Sequence, residues 1–312
     1  MSGGRAFVTG GAGFLGHHLI AALLDAGWYV DTIDNFWNGR RQHLQPFHEN
    51  SRFRLSEGDL RDAAFVSSTV RQFAPEVVFH LAALHFIPYC QANPAATIAV
   101  NVLGTQHLLD ALEGSPVETM ILASTADVYA PSERPHREAE SMRPSNIYGL
   151  SKSACEELLR VAQHRMPRVR FFAARLFNLI GPGETNPHII PAILENLNGG
   201  DVQKLGNLTP RRDYVFVKDA AAALMRMAAY EGAFRTFNVG TGVGNSVVDV
   251  VQAIERIVGR PLRIEVDPAK VRPIEREHLI ADSTLARMEL GWAPTVAFDD
   301  ALREAVVGGG IS

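Results

Sequence analysis

Three glycines spaced three residues apart near the start of the chain constrain its fold more than any other feature. Gly10, Gly13 and Gly16 follow the apolar run 6–8, and apolar residues at helical spacing continue over 17–24. This order predicts a β strand, a tight turn and an α helix. Gly10 permits the turn, Gly13 lets the backbone approach a pyrophosphate, and Gly16 lets the helix pack closely on the strand. Phosphates would then lie at the helix N-terminus, where free N–H groups and the dipole favour an anion.

Two acidic residues after the next strand-like runs extend this nucleotide-binding pattern. Asp34 ends the second run, at the spacing expected for a carboxylate that accepts hydrogen bonds from the ribose hydroxyls of adenosine. Because it would repel a 2′-phosphate, Asp34 favours NAD over NADP, although Arg40 and Arg41 close behind it could serve a phosphate. Asp59, after the third run, is placed to contact the adenine; alternatively it is the N-cap of the helix that follows.

Strand-like runs alternate with amphipathic helical stretches from residue 5 to about 175, and then the rhythm breaks at Gly and Pro residues. The runs 77–81 and 119–123 are apolar apart from His80 and Thr119, as strands buried on both faces of a parallel sheet are. We therefore predict an α/β fold: a Rossmann-type doubly wound parallel sheet with a smaller α/β substrate-binding lobe. The expected division is 1–175 for the nucleotide-binding domain, with about 213–260 returning to it, about 176–212 and 261–297 for the lobe, and 298–312 for a C-terminal helix and tail.

Bulk properties exclude several classes of function. A net charge of -4 over 312 residues gives no electrostatic case for binding nucleic acid or an anionic membrane. The chain has no apolar run of 18 residues and no signal-peptide pattern, so we expect a cytoplasmic protein. Cys90 and Cys155 are too few for a disulfide framework or a zinc cluster, and we expect two free thiols and no metal site.

Tyr148 and Lys152 are the first candidates for chemistry. Residues at i and i+4 lie on one face of a helix, where an ammonium could lower the pKa of a phenol from its usual value of about 10. A phenolate near neutral pH could accept a proton from a substrate hydroxyl. Such a pair also arises by chance on a solvated helix face, but the glycine-rich loop upstream favours the functional interpretation.

These motifs together resemble one family over nearly the whole chain. They are TGGAGFLG at 9–16, IDN at 33–35, GDLRD at 58–62, HLAA at 80–83, NVLGTQHLL at 101–109, STADVY at 124–129, YGLSK at 148–152, RLFNLIGPG at 175–183 and RRDYVFVKD at 211–219. The chain resembles the extended short-chain dehydrogenase/reductases, specifically the nucleotide-sugar epimerases and dehydratases. The resemblance implies a tightly held NAD that oxidises a sugar at C4 and later returns the hydride. It also implies a homodimer formed through the helical stretches 95–113 and 145–164, on which Ala96, Val100, Leu103, His107 and Ala111 trace an apolar-leaning stripe.

The resemblance assigns roles to individual residues. Tyr148 would be the base at the C4 hydroxyl, Lys152 would hold the nicotinamide ribose, and Thr125 would hydrogen-bond the same sugar oxygen. The implied cofactor-binding residues are Gly10, Gly13, Phe14, Leu15, Gly16, Asp34, Asn35, Asp59, Leu60, Leu81, Ala82, Ala83, Tyr148 and Lys152. The implied residues for a nucleotide-diphosphate sugar are His85, Thr125, Asn178, His188, Arg212, Arg272 and Glu275, the two arginines clamping the diphosphate. The segments 205–208 and 272–275 are closer to the GDP-sugar branch of the family.

Asp127 leaves the outcome of the reaction open. Family dehydratases usually carry a Glu just before the Val-Tyr pair, whereas C4 epimerases usually have a small or uncharged residue there. The Asp127 carboxylate could act as acid and base in eliminating water, or it could simply cap a loop at the end of a strand. The leading hypothesis is an NAD-dependent nucleotide-sugar C4 epimerase that acts through a transient 4-keto sugar. The alternatives are a GDP-sugar 4,6-dehydratase that uses Asp127 and an NAD-binding regulatory protein with a non-catalytic site.

Overall fold

A seven-stranded sheet, parallel throughout, organises the molecule in the computed structural model, which describes residues 3–184, 186–197, 199–271 and 275–308. The strands are β1 (Arg5–Thr9), β2 (Tyr29–Asp34), β3 (Phe53–Glu57), β4 (Val77–His80), β5 (Thr119–Thr125), β6 (Arg170–Leu176), β7 (Asn178–Ile180), β8 (Val202–Leu205), β9 (Arg211–Phe216), β10 (Arg235–Val239), β11 (Gly244–Ser246), β12 (Arg263–Val266) and β13 (His278–Leu279). The order across the large sheet is β10-β6-β5-β4-β1-β2-β3. Every residue of β5, the third strand across this sheet, is buried, as the run 119–123 predicts.

Helices cover both faces of this sheet. They are α1 (Phe14–Asp25), α2 (Arg41–Leu44), α3 (Ala63–Phe73), α4 (Ile87–Ala92), α5 (Pro94–Ile98), α6 (Gly104–Leu112), α7 (Ile147–Arg165), α8 (Ile189–Leu197), α9 (Val217–Ala228), α10 (Val247–Val258), α11 (Thr284–Leu290) and α12 (Phe298–Gly308), with a π-helical turn at Ala99–Leu103 between α5 and α6. Apolar side chains of α1 and α9 pack in one core, and those of α3, α6 and α7 pack in another on the opposite face. The predicted doubly wound Rossmann-type fold is confirmed.

A smaller lobe stands over one end of the sheet. Strands β11, β9 and β13 form a second sheet to which β7 adds by pairing with β9, and β8 pairs with β12. Within the range 213–260, β10 pairs in the main sheet and α9 packs in the core beneath it, whereas β11 and the part of β9 in that range pair in the second sheet. Strand pairing with residues far along the chain decides this division, and local periodicity does not reveal it.

The structure also describes the two cysteines, the hydropathy of the helices and the clustering of possible metal-binding side chains. Cys90 and Cys155 are both buried free thiols. Among the described residues, no helix combines the length and the apolar character needed to cross a bilayer, and no cluster of metal-binding side chains is found.

Candidate active site

One cleft of about 1360 Å³ runs between the carboxyl ends of the parallel strands and the smaller lobe. A ligand site at this edge of an open α/β sheet is expected, because β1 and β4 lie next to each other there and the connections leave in opposite directions. Every residue that the sequence predicted for catalysis, cofactor or substrate lines the cleft, apart from Arg272, which lies outside the described residues. The predicted residues therefore meet in one place, although they come from sites up to 265 positions apart (Gly10 to Glu275).

The glycine-rich loop lies at one end of the cleft. Gly10 has a φ of +77°, and a Cβ at this position would come within 2.8 Å of the Ala82 nitrogen. No other residue type fits this turn without strain. The first turn of α1 follows Gly13, which offers no side-chain cap, so the N–H groups of the turn remain available to an anion.

Asp34 ties the end of β2 to this loop. Its two carboxylate oxygens accept hydrogen bonds from Ala12 N at 2.9 Å and from Phe36 N at 2.8 Å. Each oxygen keeps further lone-pair capacity for a ribose hydroxyl. Burial raises the pKa of Asp34, an effect that the backbone hydrogen bonds oppose. Arg41, the alternative phosphate ligand, instead forms an ion pair with Glu57 at 2.6 Å.

Asp59 holds a network at the adenine end of the cleft and is not a helix cap. The Arg61 side chain donates to it at 2.7 and 2.9 Å, and the Asn35 amide donates at 2.8 Å. Hydrogen bonding from Arg61 holds the pKa of Asp59 well below its usual range. The N-cap of α3 is Asp62, whose carboxylate accepts from Phe65 N, so the capping alternative for Asp59 is wrong by three residues.

Tyr148, Thr125 and Lys152 form the centre of the cleft. Tyr148 and Lys152 share one face of α7, and the Thr125 hydroxyl at the end of β5 is close enough to the Tyr148 phenol to lower its pKa. Lys152 is only 2 % exposed, and none of the described residues accepts a hydrogen bond from its ammonium. The arrangement can carry a proton between a substrate hydroxyl and the phenol, with a buried cation alongside.

Burial is the main influence on the pKa values of both Tyr148 and Lys152. Burial raises the pKa of the Tyr148 phenol, the Asp127 carboxylate raises it further, and the Thr125 hydroxyl lowers it. Burial also lowers the pKa of Lys152, since removal from water disfavours the ammonium. Burial on this scale cannot be inferred from the i, i+4 spacing.

Asp127 lies in a 3₁₀ turn, Ala126–Val128, that is bound tightly to the start of α7. Its Oδ1 accepts from the Asn146 amide at 3.0 Å, and Asn146 in turn caps α7 by accepting from Gly149 N at 2.8 Å. A Cβ on Gly149 would clash with the carbonyl oxygen of Asp127. The turn and the helix that carries Tyr148 therefore touch backbone to backbone.

Arg276 is a site residue that the sequence analysis missed. Its Nη2 donates to the Asp127 carbonyl at 3.2 Å and to Ser145 Oγ at 3.0 Å, and its Nη1 donates to the Ala126 carbonyl at 3.4 Å. It is 9 % exposed, lines the cleft, and its Nε has no hydrogen-bond partner in the described structure. Arg276 thus joins the turn to the segment before α7. Its position next to Glu275 in the predicted substrate motif was the one available signal.

Polar side chains, two of them imidazoles, form a cluster at the sugar-facing wall. Asn186 Nδ2 lies 2.6 Å from His85 Nε2, and Glu184 lies 3.5 Å from His188 Nδ1. Burial, aided by His188, lowers the pKa of His85 to about 4, so His85 is neutral near pH 7. A neutral imidazole that accepts from Asn186 offers a shaped surface to a substrate and no positive charge.

The far end of the cleft carries the predicted diphosphate residues. Arg212 forms an ion pair with Glu275 and also donates to the Arg276 carbonyl at 2.8 Å. Asn178 begins β7 and pairs in register with Tyr214 of β9, which places it beside Arg212 in the same sheet. The cleft therefore ends in a guanidinium held by a carboxylate, a geometry suited to exchange for a phosphate.

The cofactor end of the cleft fits a dinucleotide. The glycine loop leaves room for a backbone approach, the α1 N-terminus favours an anion, Asp34 offers acceptors to a ribose, and the Lys152 ammonium is buried without an acceptor. These four features lie in one cleft and would contact the pyrophosphate, the adenosine ribose and the nicotinamide ribose of NAD.

Comparison with known proteins agrees with this site. Residues 7–305 match the family model described as GDP-mannose 4,6 dehydratase. The chain is 32 % identical to a UDP-glucose 4-epimerase of Mycolicibacterium smegmatis over 309 residues, which cover 97 % of each protein. Its fold matches the UDP-glucose 4-epimerase of Thermotoga maritima solved with UDP-glucose, with a TM-score of 0.89, 28 % identity and coverage of 97 % and 98 % of the two chains. It also matches the Bifidobacterium longum enzyme solved with NAD+ and UDP, with a TM-score of 0.88, 27 % identity and 97 % coverage of both chains.

These relatives decide between the hypotheses drawn from the sequence. They confirm an NAD-dependent nucleotide-sugar C4 epimerase, and they do not favour the 4,6-dehydratase. The regulatory alternative is wrong, because the relatives are enzymes. The chain belongs to the extended short-chain dehydrogenase/reductases, in the family of NAD-dependent nucleotide-sugar epimerases and dehydratases.

Proposed function

We propose that the protein interconverts UDP-hexoses that differ in configuration at C4, and that Tyr148 is the proton acceptor and donor. The observation that carries this proposal is that Tyr148 and Thr125 line one cleft together with the glycine loop and Arg212. A sugar nucleotide whose diphosphate binds Arg212 in this cleft would present its hexose to the phenol.

Each residue of the centre has a distinct task in this proposal. Tyr148 takes the proton from the C4 hydroxyl and gives it back after the sugar has turned, and Thr125 shares the hydrogen bond so that the oxygen is held in both states. Lys152 binds the nicotinamide ribose and keeps a positive charge near the phenol. NAD, held by the glycine loop, Asp34 and Lys152, would supply the group that accepts the C4 hydride and gives it back. Arg212 exchanges its partner Glu275 for the substrate diphosphate.

The choice of UDP rests on the relatives. The structures of the Thermotoga maritima and Bifidobacterium longum enzymes contain UDP-glucose and UDP, respectively. The expectation of a GDP-sugar came from the short segments 205–208 and 272–275. Arg272, in the second segment, lies outside the described residues. UDP is therefore the better-supported nucleotide.

Asp127 takes a positioning role in an epimerase. Its side chain is held by Asn146 and its carbonyl by Arg276, which orients the turn against Tyr148. A dehydratase would instead need this carboxylate to move a proton at C5 or C6 of the sugar.

The test is a panel of UDP-, GDP-, CDP- and dTDP-hexoses followed by proton NMR. The proposal predicts interconversion of UDP-glucose and UDP-galactose, seen as exchange between the two H4 signals, with little turnover of GDP-sugars. A new C6 methyl signal would show a dehydratase, and turnover of GDP-sugars alone would refute the choice of nucleotide.

We also propose a homodimer formed through α7 and the adjoining α5 and π-helical turn. Ile98, Leu103, Leu150 and Val161 are large apolar side chains that are exposed on these packed helices. An exposed apolar patch of this kind marks an interface. Leu103 is the member that this surface shares with the stripe expected from the sequence; of the other members, Ala111 is buried and Ala96 and Val100 line the cleft. The cytoplasmic location stays a prediction.

A further inference from the structure

An aromatic contact crosses the cofactor end of the cleft. Trp37, in the loop after β2, packs against Tyr89 of α4, with ring centroids 4.7 Å apart and ring planes inclined at 58°. Both side chains line the same cleft as the glycine loop. Neither residue belongs to a motif that the sequence analysis used.

The strand order shows what lies under this contact. In the sheet, β1 lies between β2 and β4. Trp37 follows β2 and Tyr89 lies in α4, which follows β4, and both side chains line the cleft together with Gly10 and Gly13 after β1. Because the pyrophosphate of a dinucleotide lies at such a loop, the contact between the two rings lies in the cleft that the cofactor would occupy.

The backbone before Trp37 is held in an unusual conformation. Phe36 has a φ of +56°, in the left-handed region that residues with a Cβ avoid. Hydrogen bonds from Phe36 N to Asp34 Oδ1 at 2.8 Å and from Trp37 N to Asn35 Oδ1 at 3.0 Å hold it there, and the Arg41 guanidinium lies 4.0 Å over the Phe36 ring. Strain of this kind persists where the surroundings enforce it and is frequent in ligand clamps.

We propose that Trp37 and Tyr89 form an aromatic bridge that retains NAD in the cleft between and during turnovers. The proposal rests on NAD being the cofactor, and it does not depend on which sugar nucleotide is turned over. An enzyme that returns the hydride it has removed needs the same nicotinamide for both steps, so early loss of the reduced cofactor would strand the 4-keto sugar. Trp37 is 50 % exposed, so the bridge can open without disturbing the core.

The experiment measures NAD release from the NAD-loaded protein. Each variant is transferred to NAD-free buffer with an NAD glycohydrolase that destroys released cofactor, and protein-bound NAD is quantified over time after gel filtration. Aromatic pairs of this geometry contribute a factor of roughly 2 to 10 to an equilibrium constant, so Trp37→Ala and Tyr89→Ala should each release NAD up to about 10-fold faster. Tyr29→Ala is the matched control: Tyr29 is 49 % exposed at the opposite end of β2 and should release NAD at the wild-type rate.

The double variant decides whether the two rings act together. Both substitutions remove one contact, so Trp37→Ala/Tyr89→Ala should release NAD no faster than the faster single variant. Wild-type release from both single variants, or a double variant whose acceleration equals the product of the single effects, would overturn the bridge. Trp37→Phe keeps a ring and should stay close to wild type. Since no sugar nucleotide is present, failure of the proposed UDP-hexose activity would leave this result unchanged.

Discussion

Replacing Gly149 by Ala tests how closely the Asp127 turn is bound to the helix that carries Tyr148. In most helices this change is favourable, because Ala has a higher helix propensity than Gly by about 1 kcal/mol. At this position the added Cβ would overlap the Asp127 carbonyl oxygen and would lie 2.9 Å from its carbonyl carbon and 3.1 Å from Pro144 Cβ. Two of these three atoms belong to the backbone and cannot rotate away.

The size of the effect follows from this geometry. An ordinary contact needs about 3.4 Å or more, so the turn and α7 must separate by roughly 1 Å. Forcing extra volume into a packed site costs about 1–3 kcal/mol, which outweighs the propensity gain and lowers the free energy of unfolding. A displacement of about 1 Å at reacting groups lowers kcat by roughly 100-fold. The KM for the sugar nucleotide should change little, because the Arg212 end of the cleft lies on other elements.

Urea unfolding and steady-state kinetics with UDP-galactose measure the two effects. Ser153→Ala is the control, since it raises helix propensity on the same α7 and removes only a hydrogen bond to the Leu150 carbonyl. Gly149→Ala with a kcat within threefold of wild type would show that the turn does not have to be held against Tyr148. An increase in stability would show that the close approach is absent.

Three further predictions concern single residues. Tyr148→Phe should lower kcat by 10²- to 10⁴-fold while leaving NAD bound. In the wild-type protein the rate should rise with pH, because burial raises the pKa of the phenol and only the deprotonated phenol accepts the proton. A flat pH profile, or full activity of the variant, would rule out Tyr148 as the base. Arg276→Gln should lower the free energy of unfolding by about 2 kcal/mol, because the Ala126 and Asp127 carbonyls lose a charged donor. It should also reduce kcat more than it changes KM, and an unchanged kcat would exclude a positioning role. Val161→Arg should convert the proposed dimer to a monomer in light scattering, whereas Val243→Arg, at another exposed position, should not; a dimeric Val161→Arg protein would place the interface elsewhere.

The features that were predictable from the sequence are local ones. The Gly10 loop, the fully buried β5 and the Tyr148 helix follow from spacing and from continuous apolar runs, because each depends on neighbouring residues. The pairing of β9 with β11 in a separate sheet does not follow from local spacing. Strand partners of this kind are decided by tertiary packing.

The features of the site that the sequence did not reveal also depend on tertiary packing. Arg276 acts on a turn 149 and 150 positions earlier, and no short-range pattern connects them. The pKa of Tyr148 is governed first by burial, which depends on the whole cleft and not on the spacing to Lys152. The N-cap of α3 is Asp62 and not Asp59, because Arg61 and Asn35 hold Asp59 in a network of side chains.

In the proposed epimerisation, the hydride removed from C4 returns to C4 of the same sugar. Deuterium placed at C4 of UDP-galactose tests it, with the NAD-loaded protein in ordinary water and without added cofactor. We predict UDP-glucose that keeps the deuterium at C4, with no net accumulation of reduced cofactor. Deuterium lost to solvent, or found at C6 of a 4-keto-6-deoxy product, would contradict the claim.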